Sequence, residues 1–237
     1  LKGSKMEQAA DSSAPQNSAP DKRSGTLAER LFHELTEAIL QGELPLGSKI
    51  SEPLLAQKYA VSRGPLREAL HRLQERHLIT RSANQGARVT EATPEKLSDL
   101  FKVREMLECL AAREASLNCT TGDLAQLRRI IDNHEAQLSG TAPERHTALG
   151  STDRDFHFLI AQRSQNPLLI RLLCEELYPL LRLYRSRNDN IDLRKRALVE
   201  HRRIYDALCD RDADMAEMMM RRHIAGARER RLHAMEG

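Results

Sequence analysis

The chain has 237 residues, enough for one large domain or two small ones, and it can bury a core without disulfide or metal staples. Aromatic residues make up only 3 % and tryptophan is absent, which favours helices packed on aliphatic side chains over a sandwich or barrel. The net charge of +3 is too small to indicate a nucleic-acid partner by itself, so the local distribution of arginines must decide.

The cysteines form no close pair of the kind found in zinc knuckles or redox motifs, and we expect reduced, buried thiols. They are Cys109, Cys119, Cys174 and Cys209.

Every apolar run is interrupted by charged residues before it reaches the length that crosses a bilayer. The first residues, "LKGSKMEQ", lack the apolar core of a secretion signal. These features predict a cytoplasmic protein with no membrane partner.

The N-terminal part divides into a tail and a first helix. Residues 1–25, with "DSSAPQNSAPDKRSG", are rich in Ser, Ala, Pro and Asn and offer almost nothing to bury, so we expect a disordered tail. After it, Leu27, Leu31 and Leu35 recur at helical spacing. This periodicity predicts a helix that ends at Gly42 in "GELPLGSKI".

Two short helices are predicted next. "SEPLLAQKYA" has Ser51 as a cap and Pro53 in the first turn, where a proline is tolerated. In "VSRGPLREALHRLQERHLI", Ser62 can cap a third helix, and Pro65 occupies its third position, where the backbone N–H would have no intrahelical partner. The proline therefore starts this helix and does not break it.

A small hairpin follows the three helices. "LITRS" and "ARVTEA" alternate partially and are joined across "ANQG", which places Gly86 near the tip. Three helices and a hairpin predict a winged helix-turn-helix over residues 26–92. "TPEKL", with Thr93 as cap and Pro94 in the first position, opens the next helix and a second domain over residues 93–237.

The second domain shows no strand signal. About six helical segments are separated at "NCTTGD", "SGTAPE", "QNPL", "RNDNID" and "CDRDAD". Apolar residues at helical spacing supply faces for an antiparallel bundle, for example Leu100, Val103, Leu107, Leu110 and Leu117. The predicted fold class is mainly α, with an N-terminal winged helix-turn-helix, a small β-hairpin wing and a C-terminal all-α antiparallel bundle.

The third helix carries two arginines one turn apart at its N-terminal end. On a helical wheel, Arg63 and Arg67 lie together beside an apolar stripe. Such guanidinium groups can grip O6 and N7 of guanine in the major groove, and Gly64 lets the backbone approach a phosphate. A lone arginine pair is more often a solvated basic face. Here the cap, the proline, the apolar stripe and the hairpin all agree on one DNA-binding motif.

The segment "LAQKYAVSRGPLREALHRLQERHLITRSANQGARV" resembles the DNA-binding domain of the GntR family of bacterial transcription regulators. In that family the two arginines of the "SR..LRE" core and the wing-tip glycine meet DNA. The expected DNA-binding set is therefore Ser62, Arg63, Gly64, Arg67 and Gly86. Pro53 stands where some members of the fatty-acid-responsive type carry an arginine that also contacts DNA, so that contact is expected to be missing.

Histidines in the second domain indicate a second site. In "STDRDFHFLI", Asp153 and His157 are four residues apart and share one helix face, while His201 and His223 belong to later helices. Imidazole and carboxylate groups suit a divalent transition metal, and three helices of a bundle can bring four side chains together. On spacing alone, a surface pair or a cap is the more common role of an Asp and a His. The other histidines, His33, His77, His134, His146 and His233, are expected at the surface or at caps.

The stretch from Leu97 onward is similar to the ligand-sensing helical (FCD) domain of the FadR branch, in its six-helix, VanR-like type. Its landmarks are "VREMLE", "DRDFHFLIAQRSQNP" and "EHRRIYDAL". In metal-containing members one Asp and three His hold the ion, which implies zinc, nickel or manganese ligated by Asp153, His157, His201 and His223. Effectors of this branch are commonly organic acids.

Four such ligands leave open positions on an octahedral ion, where a small carboxylate can bind directly. Arg104 in "KVREML" is a candidate second grip on that anion, because arginine pairs carboxylates in a bidentate way. The alternative for Arg104 is an ordinary ion pair with Glu108 at i+4.

These features predict a homodimeric repressor that binds a short palindrome in double-stranded DNA and that responds to a small organic acid. One alternative is a metal-dependent hydrolase, which the absence of an HExxH helix or an evident general base disfavours. A second alternative keeps DNA binding but makes the ion purely structural.

Overall fold

The computed structural model describes residues 25–82, 86–141, 152–184 and 191–236. Within these ranges the chain is mostly helical with one small sheet, which confirms the predicted fold class. Residues 1–24 of the predicted tail lie outside the described part, as does His146.

The N-terminal part is a winged helix-turn-helix. Its elements in chain order are α1 (Leu27–Leu40), β1 (Lys49–Ile50), α2 (Glu52–Lys58), α3 (Arg63–Glu75), β2 (Ile79–Ser82) and β3 (Gly86–Val89). The predicted apolar stripe of α3 is fully buried and packs against α1, with Leu66, Ala69, Leu70 and Leu73 all 0 % exposed. This packing fixes the opposite, polar face of α3 toward the outside of the domain.

The sheet has one strand more than the sequence predicted. Its order is β1-β3-β2, antiparallel throughout, and Lys49 of β1 pairs with Arg88 of β3. A two-residue strand has no periodicity that a sequence pattern can reveal. Ser51 and Ser62 stand at the predicted N-cap positions, but neither side chain makes a capping hydrogen bond.

The C-terminal part is an all-helical bundle. Its elements are α4 (Pro94–Asn118), α5 (Thr121–Leu138), α6 (Thr152–Arg163), α7 (Pro167–Ile170), a π-helical segment (Arg171–Leu177), α8 (Tyr178–Leu183), α9 (Ile191–Cys209) and α10 (Ala213–Glu236). Because α7, the π-helical segment and α8 are continuous, the described ranges hold six helical rods, as expected. Thr93 caps α4 by accepting from the Lys96 N–H, and a capping box between Thr120 and Asp123 starts α5.

The face of α4 that enters the bundle only partly matches the predicted one, because Leu100 and Leu107 pack against the core whereas Val103, Leu110 and Leu117 are exposed. Its buried residues include Leu97, Phe101, Arg104 and Glu108. Four apolar residues lie instead on an outer face and are 42 to 61 % exposed, namely Val103, Met106, Leu110 and Leu117. Helix α4 is therefore apolar on two sides, and among the described residues only one of these sides is covered.

The two domains are joined through α8 and the π-helical segment. Leu183 is buried in the N-terminal core, and both Nη atoms of Arg182 donate to the Glu37 carboxylate of α1 at 3.0 and 3.1 Å. Arg76, at the end of α3, donates to the Glu175 carbonyl. The end of the third helix is thus tied directly to the bundle.

The cysteines are free thiols. Cys109 and Cys119 are buried as expected, and burial raises the pKa of Cys109 to about 12, so this thiol stays protonated. The prediction was wrong for Cys209, which is exposed at the end of α9.

Among the described helices, none combines the length and the apolar character that a membrane span requires.

Candidate metal centre and DNA-binding face

Three of the predicted metal ligands meet in the interior of the bundle. His157 lies on α6, His201 on α9 and His223 on α10, and they are 2 %, 1 % and 3 % exposed. Their candidate ligand nitrogens all lie within 4.8 Å of one another. The buried ring of Phe156 stacks on His201 at 4.2 Å between centroids and helps to fix the plane of that imidazole.

Two of these histidines are held from behind by carboxylates. The Nδ1 of His157 contacts Oε2 of Glu108, and the Nδ1 of His223 lies 2.7 Å from Oε2 of Glu200. Because a carboxylate can only accept, these contacts favour the tautomers in which Nδ1 carries the hydrogen and Nε2 presents a lone pair. This arrangement of carboxylate, imidazole and lone pair is the one that orients histidine ligands at metal sites.

Arginines hold the carboxylates in turn. Arg104 donates from Nε to Oε1 of Glu108 at 2.6 Å, and Arg230 forms two hydrogen bonds with Glu200 at 3.1 and 3.2 Å. Burial by itself raises the pKa of Glu108, but Arg104 and His157 outweigh it and lower that pKa to about 2. Burial likewise opposes ionisation of Glu200, and His223 and Arg230 lower its pKa. Both carboxylates are therefore ionised acceptors at neutral pH.

The geometry fits a bound metal ion. The Nε2 atoms of His157 and His223 face each other at 3.1 Å. Two nitrogens that each lie about 2.1 Å from one ion, 90–110° apart, would be separated by about 3.0–3.4 Å. Two lone pairs at this distance in a buried site repel each other unless a proton or a metal ion lies between them. The His triad can therefore hold a transition-metal ion.

The fourth predicted ligand, Asp153, belongs to the first turn of α6, but its side chain lies outside the described residues.

His134 was wrongly expected at the surface or at a cap. It is buried on α5, and its ring lies 6.2 Å from that of His201. His33, His77 and His233 are exposed, as expected.

Sequence reasoning missed the role of Glu200 and saw Glu108 only as an ion-pair partner. Glu200 precedes His201 in sequence yet contacts His223, because neighbouring residues on a helix point about 100° apart. The Arg104 to Glu108 spacing was visible in the sequence. The observed ion pair is the alternative considered for Arg104, although it is buried and not on the surface.

The predicted DNA-binding residues are all exposed on the winged helix-turn-helix. Ser62, Arg63, Gly64 and Arg67 are exposed around the first turns of α3. Gly86 is exposed at the start of β3 and has a φ of +77°, a conformation that favours glycine. A Cβ at Gly64 would meet no atom within 4 Å, so the fold itself leaves open space there.

Comparisons with known proteins agree with both domains. Residues 27–89 match the family described as bacterial regulatory proteins, gntR family, and residues 99–226 match the FCD domain. The chain is 34 % identical to the Nta operon transcriptional regulator of Aminobacter aminovorans, over 75 % of this chain and 81 % of the relative. It is 27 % identical to the Uxu operon transcriptional regulator of Escherichia coli, over 89 % of this chain and 90 % of the relative.

Solved structures show the same fold. McbR/YncC of Escherichia coli superposes with a TM-score of 0.69 at 22 % identity, covering 90 % of this chain and all of that one. A putative GntR regulator from a Rhodococcus species gives 0.68 at 25 % identity, covering 87 % and 98 %. The family and these relatives are transcriptional regulators and not enzymes. The chain belongs to the GntR family of bacterial transcriptional regulators, in the FadR branch that carries an FCD domain.

Proposed function

We propose that the protein is a homodimeric repressor whose winged helix binds a palindromic operator and whose FCD domain senses a small carboxylate at a divalent transition-metal ion. The observation that carries the sensing part is the 3.1 Å approach of the His157 and His223 Nε2 atoms, each backed by an ionised carboxylate. Repression has a parallel in a relative named a probable D-xylose utilization operon transcriptional repressor, from Paenarthrobacter nicotinovorans, at 24 % identity.

The proposed ligands are His157, His201, His223 and Asp153. Three imidazoles and one carboxylate suit zinc, nickel or manganese and leave open coordination positions on a six-coordinate ion. A small organic acid would bind there through its own carboxylate. Arg104, which donates from Nε to Glu108, is the proposed second grip on that acid.

The proposed DNA contacts are Ser62, Arg63, Gly64, Arg67 and Gly86. The exposure of the two arginines beside a buried stripe supports major-groove reading by α3, with Gly86 at the wing. A dimer would place two such helices on the two halves of a palindrome. The uncovered apolar face of α4 supports a dimer seam formed by this helix and its copy in a second subunit.

The first experiment is elemental analysis of the purified protein, followed by titration of candidate acids against the metal-loaded form. We expect about one ion per chain, and an acid that raises the melting temperature and also changes operator affinity. His223→Ala should lose the ion and both responses. Exposed His233→Ala is the matched control and should keep them.

The burial of the three histidines also suits a purely structural ion. The same titration separates the two roles, because a structural ion stabilises the fold without linking an acid to DNA affinity. An ion that is present while no acid changes operator affinity would leave the DNA-binding part of the proposal and remove the sensing part.

A further inference from the structure

We propose that Glu52 is a positioning residue for operator reading, because one carboxylate holds an arginine of the recognition helix α3 and an arginine of the wing strand β2. Glu52 Oε2 accepts from Arg67 Nε at 3.2 Å, and Glu52 Oε1 accepts from Arg81 Nη2 at 3.3 Å. The inference rests on the proposed role of Arg67 in DNA binding. It adds Glu52 and Arg81 to the machinery that reads the operator.

The contact joins three elements of the winged helix at one point. Glu52 is the first residue of α2, Arg67 lies on α3, and Arg81 lies on β2. Arg81 pairs with Ala87, and the next pair along the ladder is Ser82 with Gly86 at the wing. The Glu52 and Arg81 side chains are 32 % and 34 % exposed, whereas that of Arg67 is 66 % exposed. The Glu52 carboxylate is therefore less exposed than the Arg67 guanidinium that it holds.

The hydrogen-bond geometry limits how Arg67 can meet a base. A guanidinium can grip guanine end-on with two Nη groups or side-on with Nε and one Nη. Glu52 accepts from Nε, which leaves the end-on grip. A long side chain that is already held in its binding geometry also loses less rotamer entropy when DNA arrives. Glu52 thus favours one orientation of Arg67 before the operator is bound.

The negative charge of Glu52 predicts the direction in which two DNA affinities should change when it is removed. A carboxylate near the DNA backbone repels phosphates, so its removal should strengthen non-specific binding. Its removal should at the same time weaken binding to the operator, because Arg67 and Arg81 lose their common partner. The two affinities should therefore move in opposite directions in a Glu52 variant.

A simpler role for Glu52 is to stabilise the start of α2, where a carboxylate interacts favourably with the helix dipole. That role predicts a small drop in melting temperature and equal changes in operator and non-specific affinity. The ratio of the two affinities therefore distinguishes positioning from a purely structural contribution.

The experiment compares the full-length wild type with Glu52→Gln and Glu43→Gln, using an operator selected from a random duplex pool and a scrambled duplex at several salt concentrations. Glu43 is the matched control, because it is an exposed carboxylate of the same domain and pairs with Lys58 at 3.1 Å. We expect Glu52→Gln to lower the specific-to-non-specific ratio about tenfold while non-specific affinity rises. Glu43→Gln should leave the ratio unchanged.

Two further variants separate a failure of the positioning role from misfolding and from a failure of the proposed function. Arg81→Met keeps Glu52 and the start of α2, and it should lower operator affinity without unfolding the domain. Arg67→Ala tests the proposed function itself. An equal ratio in Glu52→Gln and Glu43→Gln would overturn the positioning role if Arg67→Ala still loses specificity. An unchanged ratio in Arg67→Ala would instead reject the placement of α3 on DNA.

Discussion

Replacement of Glu108 by glutamine tests whether this carboxylate supports the proposed metal centre. The Glu108 carboxylate lies between Arg104 and His157, and its side chain is only 2 % exposed. Glutamine keeps the volume and one acceptor oxygen but removes the charge. Two quantities should change, the free energy of unfolding of the metal-free protein and the affinity for zinc.

The magnitudes follow from burial. Loss of one partner of a buried, hydrogen-bonded ion pair costs about 3–5 kcal/mol, and glutamine should come to the lower end because it still accepts from Arg104. Loss of the carboxylate behind a ligating histidine weakens metal affinity about 10- to 100-fold. We therefore expect about 3 kcal/mol less stability and about 30-fold weaker zinc binding in Glu108→Gln.

The direction in which the stability contribution of Glu108 changes with pH is also fixed. The pKa of Glu108 in the fold is lowered from 4.5 to about 2, so its ionised form stabilises the fold above its unfolded pKa. That stabilisation is lost as the pH falls from about 4.5 through about 2. Glu108→Gln lacks this group, so the stability difference between wild type and variant should shrink over the same window.

Denaturant unfolding with a chelator present gives the first quantity, and competition titration with a chromophoric zinc chelator gives the second. Arg104→Met/Glu108→Leu is the informative companion, because it removes both charges. It should recover about half or more of the lost stability but no zinc affinity, since His157 Nδ1 still lacks its acceptor. Unchanged zinc affinity in both variants would refute the role assigned to Glu108.

Three further predictions concern the DNA-binding face and the dimer. Arg67→Ala should weaken operator binding by about 1–3 kcal/mol at unchanged melting temperature, and an unchanged preference for the operator over a scrambled duplex would contradict it. Gly64→Ala should keep or raise stability by up to about 1 kcal/mol, since its Cβ meets open space in a helix. It should nevertheless weaken DNA binding, and equal operator affinity would show that the backbone there does not approach DNA. Met106→Glu, on the uncovered face of α4, should shift sedimentation toward monomer, whereas Lys102→Glu nearby should not.

The sequence was most informative where residue type and spacing alone determine the local structure. The buried stripe of α3, the proline in its first turn and the capped start of α4 follow from periodicity and from capping chemistry, and the structure has all three. The histidines were recognisable by type and by a family resemblance. Their meeting in one place depends on the packing of α6, α9 and α10, which no local pattern contains.

The supporting groups could not be predicted, because they act across helices. Glu200 contacts a histidine 23 positions later, and Glu52 contacts arginines 15 and 29 positions later. The prediction for α4 was wrong for Val103, Leu110 and Leu117 for a related reason, since hydrophobic spacing does not reveal which of two apolar faces packs inside the bundle. Apolar periodicity identifies buried faces, but it does not say what buries them.

Tyr178 lies between the proposed metal centre and the contact of α8 with the N-terminal domain. Tyr178 is buried beside the Glu108 carboxylate, and burial followed by that negative charge raises its pKa well above the usual range. Five residues further along α8, Leu183 is part of the N-terminal core, and Arg182 is paired with Glu37 of α1. An effector changes DNA affinity only if it binds two arrangements of the domains with different free energies. If the proposed effector displaces His157, the groups next in contact are Glu108 and Tyr178, and α8 runs from Tyr178 to the Arg182–Glu37 ion pair with α1. Tyr178→Phe should therefore reduce any effect of a bound acid on operator affinity, and an undiminished effect would show that α8 does not link the two sites.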